Sequence, residues 1–228
     1  MIFLRDLLIS NMYYLENLDE LNLEHGEILV KTAREAIEKY LAKNEIIPVP
    51  ENVPDILKRR AGVFVTLRRH DLPHDKSLRG CIGYPYPVYP LIEGTIRAAI
   101  AAATEDPRFR PVTLDEMNKI VVEVTVLSKP QPLVVSSPAE YLEKVKVGKH
   151  GIIVEYAYYS GLLLPQVPIE EGRDVEEFLS YGCLKAGLPP DCRTREGVKI
   201  SIFEGVIFAE KEPRGEIIKV ELKKRSHF

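Results

Sequence analysis

The sequence predicts an α+β fold, mainly antiparallel sheets with flanking helices. Three observations carry that reading. Strand-like and helix-like segments alternate along the chain, and several strands are separated by turns too short for the crossovers that parallel pairing needs. The 228 residues include 45% hydrophobic and 29% charged side chains, the balance of a chain with a substantial core. No internal repeat, low-complexity linker or obvious domain boundary interrupts it, so 1–228 reads as a single domain.

In order along the chain, residues 24–43 have helical periodicity. Ile28, Leu29, Ala36, Ile37, Tyr40 and Leu41 share a face, with Lys31, Arg34, Glu35 and Lys39 largely outside it. Pro48, Pro50 and Pro54 enforce an extended connector. Residues 62–68 alternate as a strand, and a polar turn from His70 to Ser77 leads to Leu78-Arg79-Gly80-Cys81-Ile82-Gly83. In extended form this hexapeptide sends Leu78 and Ile82 to one face, and Arg79, Cys81 and Gly83 to the other.

The prolines from Pro85 to Pro90 exclude a central strand, and Pro90 suits the start of an alanine-rich helix over 91–104. Thr113 to Glu116 has the spacing of a capping box opening a short helical turn. Residues 119–127 read as a buried strand, and Ser137 to Glu140 as a helix start. Residues 150–156 and 161–164 read as strands with a turn near Ser160-Gly161. Asp174 to Glu177 caps a helix carrying Val175, Phe178, Leu179 and Leu184. Residues 199–210 and 216–222 pair as a hairpin around Pro213-Arg214-Gly215.

No apolar run reaches the ~20 residues needed to cross a bilayer. The apolar start, Met1 to Leu8, carries early charges and reads as part of the fold, so the expected location is cytoplasmic. A net charge of −3 gives no global attraction to nucleic acid. Clusters at Lys58-Arg59-Arg60, Arg68-Arg69-His70 and Lys223-Lys224-Arg225 read as solvated faces or tail. The charge-rich composition, free of tryptophan, points toward a thermophile, in which a disulfide between Cys183 and Cys192 is conceivable.

Chemistry concentrates near the hexapeptide. Cys81 is the nucleophile candidate, with neighbouring Arg79 and Arg108 expected to favour its thiolate and His150 as its base, and the competing reading is a free cysteine that fills a small apolar hole. Arg79 and Arg108 suit a carboxylate or phosphate, with Gly80 and Gly83 letting backbone N–H groups approach the same anion. The competing structural reading pairs one arginine with Asp106. Among the strand carboxylates Glu123, Glu155 and Glu204, the last interrupts its apolar pattern most sharply. Thr66 and Gln166 are neutral hydrogen-bonding candidates. No metal-ligand spacing occurs, and the residues indicate no particular cofactor.

The hexapeptide is also the signature of a family. With Asp106-Pro107-Arg108-Phe109, 122–127, Gly148-Lys149-His150-Gly151-Ile152 and Leu164-Pro165-Gln166-Val167 in order, the chain resembles the AMMECR-one family over roughly residues 20–207. The resemblance implies a larger and a smaller subdomain, intertwined in sequence, with a cleft between them. It also implies association with a Memo-type protein and a radical S-adenosylmethionine protein.

The leading expectation is a small-molecule enzyme or enzyme-like protein with an anionic ligand in a cleft lined by Arg79, Cys81, Arg108 and His150. The rival is a protein-binding scaffold anchored by the tyrosines from Tyr84 to Tyr89, with nucleic-acid binding through Arg68-Arg69 a weaker third. Self-association is a further option.

Overall fold

The structure is a computed structural model that describes residues 13–222. The apolar start at Met1 to Leu8, the basic tail at Lys223 to Arg225 and His227 lie outside the described residues. The chain separates into two units. Among the described residues, one contains 13–129 together with Val206–Val220, and the second contains Pro130–Gly205 with 221–222.

In the first unit, helix α1 (Leu23–Lys43) begins at Asn22. The Asn22 side chain accepts from the His25 N–H, and His25 Nδ1 accepts in return from the Asn22 N–H, so two otherwise orphaned donors are satisfied. Leu29, Val30, Ala33, Ala36 and Ile37 are fully buried along its inner stripe. After the one-turn helix α2 (Asp55–Lys58) come strands β1 (Gly62–Arg69) and β2 (Leu78–Tyr84). Helix α3 (Leu91–Thr104) follows Pro90, as the sequence predicts.

Thr113 and Glu116 exchange the expected reciprocal bonds around a single 3-10 turn, Asp115–Asn118. Strand β3 (Ile120–Leu127) then pairs antiparallel with β1, and β1 with β2. This register puts Val63, Val65 and Leu67 of β1 abreast of Val126, Val124 and Val122 of β3, and all six are fully buried. The alanine-rich α3 packs on that apolar face. Its Ala98, Ala99 and Ala102 are buried, and short side chains let a helix approach a sheet closely.

Arg34 departs from the helical-wheel reading. It is 7% exposed, not on the wet face. Its guanidinium is bidentate to Glu210, with Nε to Oε1 at 2.6 Å and Nη2 to Oε2 at 2.5 Å. The remaining N–H groups donate to Glu38 Oε1, Met117 O and Ile120 O. Glu210, at the end of β7 (Lys199–Glu210), also accepts the Val122 N–H at 2.9 Å. A buried ion pair is tolerable only when its donors and acceptors are met this completely. Strand β8 (Ile217–Val220) pairs back on β7 across a turn in which Arg214 takes the left-handed conformation (φ 62°), the hairpin the sequence predicts.

In the second unit, the first half of β7 lies between the two-residue β4 (Gln131–Pro132) and β5 (His150–Tyr156), and β5 pairs with β6 (Tyr159–Leu163). The β5–β6 turn falls at Ala157-Tyr158, earlier than the expected Ser160-Gly161, with Ala157 at φ 50°. Gly161 is a packing residue. A Cβ there would stand 2.3 Å from the Ala186 backbone nitrogen.

Short helices α4 (Glu140–Lys144) and α5 (Val167–Glu170) precede α6 (Val175–Lys185), whose Asp174–Glu177 capping box forms as predicted. Phe178, Leu179 and Cys183 of α6 face the second core, whereas Leu184 is exposed. Cys183 is disulfide-bonded to Cys192, so the pairing left open by the sequence is present. Every pairing between named strands described above is antiparallel, as expected for the α+β class.

Candidate functional site

The β1–β2 ladder changes register between Leu67 and Arg68. Leu67 faces Gly80 but Arg68 faces Leu78, which leaves Arg79 as an extra residue. A bulge of this kind breaks the alternation on which the sequence reading places Arg79 beside Cys81. Leu67 and its partner Gly80 belong to the apolar face under α3. A Cβ on Gly80 would lie 2.1 Å from the Ala102 carbonyl oxygen, so the first glycine of the hexapeptide serves helix packing.

Cys81 is on the opposite face, abreast of Thr66, and Thr66 is abreast of Glu123. The Thr66 hydroxyl donates to Cys81 Sγ at 3.4 Å. Burial pushes the thiol above its ordinary pKa. The Thr66 hydrogen bond and the Arg108 charge favour the thiolate, while Glu123 and Asp106 oppose it. The net direction is upward, contrary to the expectation that flanking arginines would activate the sulfur.

Asp106 organises this face. Its side chain is 3% exposed. Oδ2 accepts the Cys81 backbone N–H at 2.9 Å and Arg108 Nη2 at 2.6 Å. Oδ1 accepts the Arg108 N–H at 3.1 Å and Nε at 2.9 Å. Burial alone would raise this carboxyl, but those donors outweigh it and bring the pKa down to about 2. The Cys81 N–H is therefore committed to a carboxylate, not to the external anion expected from the sequence. The Arg108 side chain is 45% exposed and lies 5.4 Å from the centre of the Phe109 ring.

Arg79 is held elsewhere. Nε and Nη2 bind the two Glu116 oxygens at 3.0 and 3.1 Å, and the Arg110 and Pro111 carbonyls accept its remaining bonds. Burial opposes ionisation of Glu116, yet the Arg79 fork and the Thr113 donors lower its pKa. Arg79 thus fastens the segment after Arg108 to the bulged strand. The alternative weighed from sequence, one arginine paired with Asp106, describes Arg108, and Arg79 is taken by Glu116, which the sequence did not offer as its partner.

The other expected site residues belong to the second unit. His150 is largely buried, and its Nδ1 accepts the Lys146 N–H at 3.2 Å. Burial depresses its pKa, with nearby Glu204 pulling the other way. Glu204, its cross-strand partner, is half-exposed and pairs with Lys149 at 3.2 Å, so it faces solvent. Gln166 is 4% exposed at the start of α5. Among the described residues no cluster of His, Cys, Asp and Glu could hold a metal ion. None of their helices is long and apolar enough to cross a membrane.

Residues 30–208 match the AMMECR1 family model. Protein MJ0810 of Methanocaldococcus jannaschii is 56% identical over 89% of this chain and 98% of its own length. Protein PYRAB00100 of Pyrococcus abyssi is 54% identical over 85% and 94% respectively. The crystal structure of protein PH0010 from Pyrococcus horikoshii superposes with a TM-score of 0.87 at 52% identity, covering 89% of this chain and 99% of that one. The relatives are from thermophilic archaea, in line with the compositional hint. On sequence and fold together, this chain belongs to the AMMECR1 family.

Proposed function

We propose that the protein is a small-molecule enzyme or enzyme-like protein that takes an anionic ligand on the Cys81 face of its first unit. Arg108 is the ligand-facing cation, and the Cys81 thiol and Thr66 hydroxyl line the contact. The observation that carries the proposal is the buried Asp106 carboxylate, which holds the Cys81 backbone and the Arg108 guanidinium at once. A half-exposed guanidinium fixed beside a thiol is pre-organised for a carboxylate or phosphate. Burial keeps Cys81 as a thiol at neutral pH, so its role is contact and hydrogen bonding before any nucleophilic step. A cytoplasmic location and a Memo-type or radical S-adenosylmethionine partner belong to the same proposal.

A thermal-shift series with phosphate, sulfate and a metabolite mixture tests it on wild type, Arg108→Ala and Arg79→Ala. A ligand at about 100 times its Kd stabilises the folded state by about 2.7 kcal/mol, a readily measured rise in Tm. The rise is expected in wild type and absent in Arg108→Ala. A rise that survives Arg108→Ala overturns the assignment.

The absence of any anion-specific rise favours the scaffold reading. One feature supports that alternative: Tyr86 and Val88 are exposed on the loop after β2. Exposed aromatic and aliphatic side chains on a loop are the raw material of a protein contact.

A further inference from the structure

A cavity of about 510 Å³ lies in the first unit, along the last turns of α1 and beside the β7–β8 turn. Its volume falls within the ~300–1,000 Å³ range of small-molecule sites. The wall includes the Arg34–Glu210 pair, with all five guanidinium N–H groups engaged, so the floor is rigid.

Two kinds of surface meet above that floor. One is apolar and consists of Ala42, Ile217 and Leu114, the last 43% exposed with no core role. The second is cationic. Lys39 and Lys43 project one helical turn apart from exposed positions, and neither has an ion-pair partner among the described residues. Five basic side chains line the cavity against three carboxylates, an excess of two positive charges. The Arg34–Glu210 and Arg214–Glu38 pairs account for two of the carboxylates.

The helix dipole accounts for one lysine in the last turn of α1. It does not account for a second one turn earlier, or for an exposed leucine lining the same cavity.

We propose that this cavity is a second binding site, for a small molecule with an apolar body and one anionic group. The body covers Leu114, Ala42 and Ile217, and the acid group lies between the Lys39 and Lys43 ammonium groups. The site is independent of the Cys81 face.

The test uses the full chain and two probes, anilinonaphthalene sulfonate followed by its fluorescence, and decanoate as a competitor with decanol as the uncharged control. Saturable one-site binding that decanoate displaces and decanol does not is expected, weakening as salt rises. Lys39→Gln combined with Lys43→Gln is expected to weaken it about tenfold, the loss of roughly 1.4 kcal/mol. Leu114→Asp is expected to abolish it, and Arg108→Ala to leave it intact.

Both lysines and Leu114 are exposed, so these variants keep the core, and an unchanged Tm verifies that. Non-saturable binding, equal displacement by decanol, or binding unaffected by all three substitutions overturns the proposal. Loss in Arg108→Ala also overturns it, by moving the probe to the Cys81 face. Failure here leaves the anion test at Arg108 unaffected, since the two rest on different variants.

Discussion

Gly80→Ala is the sharpest test of how the hexapeptide is built. A Cβ at this position would sit 2.1 Å from the Ala102 carbonyl oxygen, some 0.9 Å inside the 3.0 Å below which real Cβ atoms essentially never come. The obstructing atom is helix backbone, and Ala102 lies among buried alanines on α3, so no side-chain rotation relieves the clash. The helix must move off the sheet, which loosens a closely packed layer. Overpacking of this kind costs about 1–3 kcal/mol, and a backbone obstacle puts the cost at the upper end.

Against it stands the ordinary advantage of alanine over glycine inside an element, about 0.5–1 kcal/mol. The net expectation is a loss of about 2 kcal/mol, read from urea unfolding with the slope checked for constancy. Gly172→Ala is the control. It has open space but a φ of +67°, and so carries a local conformational cost of roughly 1 kcal/mol without disturbing packing. Should Gly80→Ala prove as stable as wild type, the close helix–strand approach is wrong, and the glycine has to be explained by the ligand face instead.

Further outcomes follow from the same contacts. Glu210→Gln takes from the buried Arg34 its bidentate carboxylate and leaves it Glu38 alone, so a loss of about 3 kcal/mol is expected in denaturant unfolding, and a loss below about 1 would deny the pair its structural role. The Asp106 pKa is depressed in the folded state, so its stabilising contribution is present above the unfolded carboxylate pKa and is lost as pH falls toward about 2. That contribution is about 2 kcal/mol, and a pH series comparing wild type with Asp106→Asn should show the difference shrinking below about pH 4. Cys81 should alkylate slowly at neutral pH, with a rate midpoint above the ~8.5 of a free thiol, and rapid reaction at about pH 7 would contradict the raised pKa of this half-buried thiol. Replacing Cys183 and Cys192 by serine opens a cross-link spanning a sequence separation of 9, and unfolding should register a loss of about 2–3 kcal/mol.

Elements governed by local chemistry are legible in the sequence. The Asp174–Glu177 and Thr113–Glu116 boxes, the Pro90 start of α3 and the β7–β8 hairpin all form where turn and cap residues put them. The misreadings share one cause, a partner far away in the chain. Arg34 looks like a wet-face residue because its partner Glu210 is 176 positions on. Gly161 reads as a turn glycine, yet what demands it is the backbone of Ala186 on another element. Arg79 reads as a neighbour of Cys81 because strict alternation cannot foresee a bulge. The carboxylate that claims it, Glu116, reads from sequence as a cap and nothing else.

That pattern separates the roles within the hexapeptide. Gly80 answers to α3, and Arg79 to Glu116 and two carbonyls. Cys81 turns its side chain to the face shared with Thr66 and Glu123. Much of the motif is therefore scaffold, and Cys81 is the residue that the proposed ligand face takes from it. The same logic favours Arg108 over Arg79 as the cation of the proposed site, because Arg79 has both faces of its fork occupied and is 14% exposed, whereas Arg108 is 45% exposed. It also makes Asp106 the residue on which the proposed site depends. Asp106→Asn keeps the shape but weakens the hold on both the Cys81 N–H and the Arg108 fork. It should therefore reduce any anion-induced rise in Tm by loosening Arg108, the group proposed to meet the anion. Asp106→Asn with an undiminished rise would show that Arg108 needs no such positioning.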